Sequence, residues 1–211
     1  MSLTYDPNQA IADLTAADKK LGKAIREVGE FQLKPQRMTS PFEALARSII
    51  YQQLSGKAAG TILGRVKELF PGKRIKPDLV LKMEDEDLRG AGMSRNKVAA
   101  FRDLSEKTLD GTVPTLARLK RMEDSEIIER LVQVRGIGQW TVEMLLMFHL
   151  GRPDIMPATD LGIRKGYMIF KGMSELPKPT DLLSLTEHWR PWRSVASWYL
   201  YRIADQEFWT S

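Results

Sequence analysis

The sequence predicts an all-α protein. Three observations carry that reading. Apolar residues recur every three to four positions along most of the chain. Helix-starting and helix-stopping residues bracket those runs. No stretch alternates apolar and polar residues with the β-branched enrichment of a strand.

Ser40-Pro-Phe-Glu43 reads as a capping box with proline at the first helical position. The helix it opens continues through EALARSIIYQQL, with Leu45 and Ile49 on its inner face, until Ser55-Gly56 breaks it. The next helix places Ala58, Ile62, Val66 and Phe70 at intervals of four and ends at Pro71-Gly72. A short helix fits Asp85 to Arg89, and Gly90-Ala-Gly-Met-Ser94 makes a tight turn. Ser94 caps a further helix that turns Val98, Phe101 and Leu104 inward. After a turn at Thr108 to Pro114, two more helices fit Leu116–Lys120 and Ser125–Val132, and another fits Gln139–Leu150. Loops are short and no segment is low-complexity.

A chain of 211 residues fits one compact domain or two small interleaved subdomains. Hydrophobic residues make up 43% and charged residues 28%, the balance of a soluble globular protein. No apolar run approaches the roughly 20 residues needed to cross a bilayer. The first residues, MSLTYDPNQA, lack the basic-then-apolar order of an export signal. The expected location is therefore a reducing intracellular compartment, cytoplasmic or nucleoid-associated. Cysteine is absent, which excludes disulfides, thiolate zinc sites, cysteine nucleophiles and cysteine-ligated iron–sulfur clusters. His149 and His188 are too far apart to suggest a ligand pair. The net charge of +5 is compatible with a polyanionic partner and proves none.

The most informative stretch is LVQVRGIGQWTVEMLL, residues 131–146. Gly136 and Gly138 can take positive φ, which allows a very tight reversal, and Ile137 between them would be buried as an anchor. The helix that follows offers free N–H groups and the positive end of its dipole. Missing side chains at both glycines let a phosphate approach those amides. The bland reading is a simple turn between two packed helices.

The same stretch resembles the helix-hairpin-helix of the DNA glycosylase superfamily, in its alkylbase (3-methyladenine) branch. The segment RPDIMPATDLGIRKG is similar to the loop ending in that family's essential aspartate, which matches Asp160. PWRSVASWYLYR resembles the branch's closing helix, and SIIYQQLSGKAA its wedge region. Together the matches run from about Ser40 to Arg202. Larger bacterial members carry an additional N-terminal β-rich domain, and the resemblance here is to the compact form.

The resemblance implies a monofunctional glycosylase that excises alkylated bases and leaves an abasic site. Cleaving an N-glycosidic bond builds positive charge on the deoxyribose, and a nearby carboxylate stabilises it. Asp160 is the candidate for that role, although Thr159 or Asp160 also fits a plain helix N-cap. Strand-cutting relatives carry a lysine two residues past the second hairpin glycine, where this sequence has Trp140, so water is the expected nucleophile. The lack of cysteine separates the chain from the iron–sulfur branch. Extruding the base calls for aromatic walls. Trp140 matches the branch's pocket tryptophan, Met144 stands where relatives often have an aromatic, and Tyr201 or its neighbour Trp198 supplies another wall. Ordinary core packing is the competing reading for each. Gln53 falls at the wedge position that would fill the gap left in the duplex, with Leu54 as the neighbouring candidate. Gly136, Ile137, Gly138, Gln139 and Thr141 would hold the phosphate backbone. By resemblance alone, the main-chain carbonyls of Val132, Val134 and Ile137 would hold a structural Na+ or K+; no other cofactor is implied.

The expected architecture is two helical subdomains with an interdomain active-site cleft. One is a middle bundle over residues 42–124; the other joins 1–41 to 125–211. The expected partner is double-stranded DNA containing damaged bases, bound by a monomer away from any membrane. Two other functions remain open from the sequence. One is a non-catalytic DNA-structure-binding module; the other is a glycosylase for uracil, hypoxanthine or mispaired thymine.

Overall fold

A computed structural model of the chain describes residues 3–205. Its helices are α1 (Pro7–Ala17), α2 (Lys19–Val28), α3 (Pro41–Tyr51), α4 (Gly56–Glu68), α5 (Pro77–Lys82), α6 (Asp85–Gly90) and α7 (Arg95–Leu109). They continue as α8 (Leu116–Leu119), α9 (Asp124–Leu131), α10 (Gln139–Leu145), α11 (Leu161–Lys171), α12 (Pro179–Leu185) and α13 (Arg193–Asp205). No strand occurs among the described residues, so the all-α expectation holds. No helix among them is long and apolar enough to cross a membrane.

The chain divides into two compact units. The middle unit, Met38–Val142, is built on α3 and α7. Leu45, Ile49 and Ile50 of α3 and Phe101 and Leu104 of α7 are fully buried, and the Phe42 and Phe101 rings lie 6.2 Å apart. Each such side chain contributes on the order of 2 kcal/mol through burial. Arg102 of α7 closes the end of α5, donating to the Met83 carbonyl at 2.5 Å and to Asp85 at 2.6 Å.

In the other unit, formed by residues 3–37 and 143–205, α11 lies along α13. Gly166 permits that approach, because a Cβ there would sit 2.0 Å from the Leu200 carbonyl oxygen. Tyr167, Phe170 and Trp189 pack ring against ring around it, at 5.8 to 6.0 Å. Asp18 caps α2 by accepting from the Lys20 and Leu21 amides. It also accepts from Lys171 and from the Trp189 indole, each at 3.2 Å. One carboxylate thus ties the N-terminal helices to the last third of the chain.

Several local expectations are corrected. The Ser40 box does not form: Ser40 starts α3 with no side-chain cap, and the Thr39 hydroxyl takes Glu43 instead, at 2.7 Å. On α4, Val66 is buried as expected, as is Phe70 just beyond it, but Ala59 rather than Ala58 faces inward, because a 3.6-residue period spaces the stripe 59, 62, 66 and not strictly by four. The helix expected over Gln139–Leu150 is regular only to Leu145 and widens into a π-helical turn over Leu146–Leu150, closed by Gly151. π-Turns of this kind are frequent at functional sites. Residues 125–142, grouped by sequence with the terminal bundle, belong to the middle unit, since side chains of that unit hold the hairpin in place. Helices α1, α2, α5 and α12 are not among those expected from the sequence.

Candidate nucleic-acid interface and active site

The hairpin between α9 and α10 is a sequence of short turns. Val134 N–H donates to the Leu131 carbonyl, and Ile137 N–H to that of Val134. Gly136 takes φ +77°, as expected; Gly138 is absent from the positive-φ glycines, so the reversal needs only the first. A Cβ at Gly138 would meet nothing within 4 Å, so the fold itself does not demand glycine there. Ile137 is buried at 3% exposure, the expected anchor. Gly136, Gly138, Gln139 and Trp140 are exposed. Thr141 is buried, and its N–H is spent on the Gly138 carbonyl at 3.0 Å.

Two side chains of the same unit fix the hairpin backbone. Asp103 Oδ2 accepts the Arg135 N–H at 2.6 Å. Burial pushes the Asp103 carboxyl up, but the Arg135 amide and the Lys107 ammonium outweigh it and hold it below its ordinary range. From the other side, the Gln52 amide donates to the Gly136 carbonyl at 2.7 Å.

Gln52 belongs to the loop between α3 and α4. Lys97 of α7 supports that loop, donating to the Ile50 carbonyl at 2.8 Å and the Gln52 carbonyl at 2.9 Å. Desolvation lowers the Lys97 ammonium from its usual value. Gln53, the expected wedge residue, is exposed and sits at φ +57°, in the left-handed region that glutamine rarely occupies. Leu54 beside it is 39% exposed.

In the other unit, Asp160 is the N-cap of α11, its Oδ1 accepting the Ile163 N–H at 3.0 Å. The plain N-cap reading of this residue is therefore realised, and the helix dipole favours negative charge at the same place. Tyr201 of α13 stands beside it: a Cβ on Gly162 would lie 3.1 Å from Asp160 Oδ1 and 3.2 Å from the Tyr201 ring. Burial, and then the Asp160 charge with its hydrogen bond, push the Tyr201 phenol well above its ordinary range; Glu143 adds to this. The Tyr201 hydroxyl also contacts Met144 Sδ at 3.8 Å. Asp160, Tyr201 and Met144 thus form one cluster, whereas Trp198 packs edge-on against Phe31 and Tyr199 instead.

Sequence reasoning missed Gln52, Lys97, Asp103 and Glu143. Glu143 carried a visible signal, an acid inside the apolar run TVEMLLM, and is 5% exposed. No cluster of three or more His, Cys, Asp or Glu able to hold a metal occurs among the described residues.

An all-helical chain that reverses on Arg135–Gly138 and opens a later helix on an acid has the plan of a helix-hairpin-helix base-excision protein. The family model described as "HhH-GPD superfamily base excision DNA repair protein" matches residues 46–191, and the chain belongs to that family. Among curated relatives, it is 37% identical to the "DNA-3-methyladenine glycosylase 1" of Schizosaccharomyces pombe, over 90% of this chain and 85% of that one. The solved structure of the S. pombe 3-methyladenine DNA glycosylase Mag1 in complex with abasic DNA superposes with a TM-score of 0.83 at 34% identity, covering 96% of this chain and all of that one. A DNA-3-methyladenine glycosidase from Bacillus halodurans matches with a TM-score of 0.84 at 37% identity, over 96% of this chain and 91% of its own.

Proposed function

We propose that this protein is a monofunctional DNA glycosylase. It flips alkylated bases of the 3-methyladenine and 7-methylguanine type out of duplex DNA and hydrolyses the N-glycosidic bond, leaving an abasic site for base excision repair. The observation that carries this reading is the 37% identity, over 90% of the chain, to a protein named as a DNA-3-methyladenine glycosylase. The cluster around Asp160 supports it.

An N3- or N7-alkylated purine carries positive charge while attached to the sugar. When the C1′–N bond breaks, the electron pair leaves with the base, which departs neutral, and the positive charge passes to the sugar. Asp160 stabilises that charge electrostatically and accepts the proton that water loses as it adds to C1′. The Ile163 N–H fixes one carboxylate oxygen, and Tyr201 fixes the orientation further. Trp140, 45% exposed, offers a stacking face for an electron-poor base. Met144 and Tyr201 supply further walls, and Trp198 is the alternative aromatic. Gln53, with Leu54, occupies the gap left in the duplex.

The exposed amides around Gly136, Gly138 and Gln139 grip a phosphate, with Ile137 as the buried anchor and Thr141 bracing the first turn behind them. Val132 lies at the carboxyl end of α9, where a helix frees its carbonyls, and Val134 and Ile137 lie in the turn that follows; three main-chain carbonyls are a donor set suited to a monovalent cation. The Val134 carbonyl also accepts the Ile137 N–H at 3.0 Å, and a carbonyl oxygen has two lone pairs. Such a cation would supply positive charge facing the phosphate.

The test uses duplexes bearing single defined lesions, followed by heating in alkali to reveal abasic sites. Asp160→Asn should bind DNA as the parent does and lose excision by about 100-fold or more. Near-parental turnover in that variant would remove the mechanism. Binding without release of any base by the parent would favour a non-catalytic module.

A further inference from the structure

Gln52 joins two features of the middle unit, the α3–α4 loop and the hairpin. Its carbonyl accepts from Lys97 Nζ, which locks the loop end of α3. Its side-chain amide crosses to the Gly136 carbonyl, 84 residues on, at 2.7 Å. Gln53, the next residue, is held exposed at φ +57°. A non-glycine residue stays in that strained conformation only where its surroundings over-determine it. Gln52 and Gln53 are the two central residues of a turn that the Leu54 N–H closes on the Tyr51 carbonyl at 3.3 Å, and the two partners of Gln52 hold that turn in place from outside it.

We infer that Gln52 is a positioning residue that ties the Gln53 loop to the hairpin, so that the base-gap wedge and the phosphate grip are presented to DNA at one fixed spacing. This rests on the DNA-binding reading of both features. The physical gain is preorganisation: the wedge is already fixed relative to the gripped phosphate, so less freedom is lost on binding. Without the Gln52 amide, the loop and the hairpin meet DNA as independent elements. Neither Gln52 nor Lys97 needs to touch the base or the sugar for this to operate.

A double-mutant cycle tests it. The affinities of the parent, Gln52→Ala, Gln53→Ala and the double variant are measured for a duplex containing a stable abasic-site analogue and for the same duplex undamaged. Gln52→Ala should weaken abasic-duplex binding roughly five- to tenfold, the range expected for one lost hydrogen bond. In the Gln53→Ala background the same change should cost less than about twofold, because the wedge it positions is gone. Affinity for the undamaged duplex should fall much less. Gln52→Glu, which keeps the stem but puts a carboxylate against the Gly136 carbonyl, should lose at least as much as Gln52→Ala; thermal unfolding checks that each variant is folded. Losses that multiply independently, or a Gln52→Ala that binds as the parent does, overturn the inference and leave the glycosylase reading standing. A parent that does not prefer the abasic duplex overturns the reading itself, and the inference with it.

Discussion

Arg193 grips Asp154 with two nitrogens, Nε on Oδ1 at 2.6 Å and Nη2 on Oδ2 at 3.0 Å, while only 7% exposed. The pair fastens the segment leading to Asp160 onto the start of α13. Its neighbours extend the seam: Ser194 N–H donates to the Pro153 carbonyl, Ile155 N–H to Ser194 Oγ, and Ser197 Oγ to the Ile155 carbonyl, at 2.9 to 3.1 Å. Arg190 also reaches Asp154 from the solvent side.

Breaking that pair from one side leaves an under-compensated carboxylate. Arg193→Met should destabilise the fold by about 3 kcal/mol, the low end for a buried pair because Arg190 still reaches Asp154. Arg193→Lys should fall between, keeping the charge but not the fork. Chemical denaturation of the three proteins measures this. Equal midpoints would mean that Arg190, Ser194 and Ser197 hold the seam without Arg193.

Two helical glycines should respond in opposite directions to alanine. At Gly166 the new methyl would sit 2.0 Å from the Leu200 carbonyl oxygen, a main-chain atom that cannot step aside without moving α13. Gly166→Ala should cost at least about 3 kcal/mol or prevent folding. At Gly64, inside α4, a Cβ meets nothing within 4 Å, so Gly64→Ala should add about 0.5 to 1 kcal/mol. Thermal melts of both variants against the parent decide this. A tolerated Gly166→Ala would contradict the close packing of α11 on α13.

What was legible in the sequence is what local chemistry dictates. Pro41 opens α3, Ser94 accepts the Lys97 N–H at the start of α7, and Ile137 is buried in the hairpin. Asp160 was legible both as a cap and, through the resemblance, as the candidate acid. What stayed hidden depends on partners far away in the chain. Nothing in the stretch around Asp18 announces Lys171 or Trp189, and nothing near Gln52 announces Gly136. The Ser40 box misled because a hydroxyl one residue earlier took the same glutamate. The π-turn at Leu146–Leu150 keeps an apolar run that helical periodicity alone reads as regular helix.

Acid should unfold the protein partly through Asp18. Burial of this carboxyl would raise its pKa, but the Leu21 amide, Lys171 and His188 outweigh that and hold it at about 2, against 3.8 ordinarily. A carboxyl depressed in the folded state stabilises the fold above its unfolded pKa, and the contribution is lost as pH falls through the folded one. On the order of 2 kcal/mol should therefore disappear between about pH 4 and pH 2. Asp18→Asn should lose that stability at neutral pH and show a flatter acid limb over the same window. Parallel pH-dependence in the two proteins would show that Asp18 does not carry it.

Gln53→Gly separates what the loop costs the fold from what it gives to binding. At φ +57° a glutamine side chain crowds its own backbone, by about 1 kcal/mol, and glycine does not. The variant should therefore melt at a slightly higher temperature, provided the glycine's extra freedom in the unfolded chain offsets only part of the gain. The loop would keep its shape, since Lys97 and the Gly136 carbonyl hold it through Gln52 rather than through the residue replaced. With no side chain to fill the gap of an extruded nucleotide, affinity for the lesion duplex should still fall by roughly tenfold, while affinity for undamaged duplex changes little. Higher stability with weaker lesion binding would mark the strain at Gln53 as retained for function. A variant that is both stabler and equally tight would leave the strain without a purpose, and Leu54 would become the residue to test as the wedge.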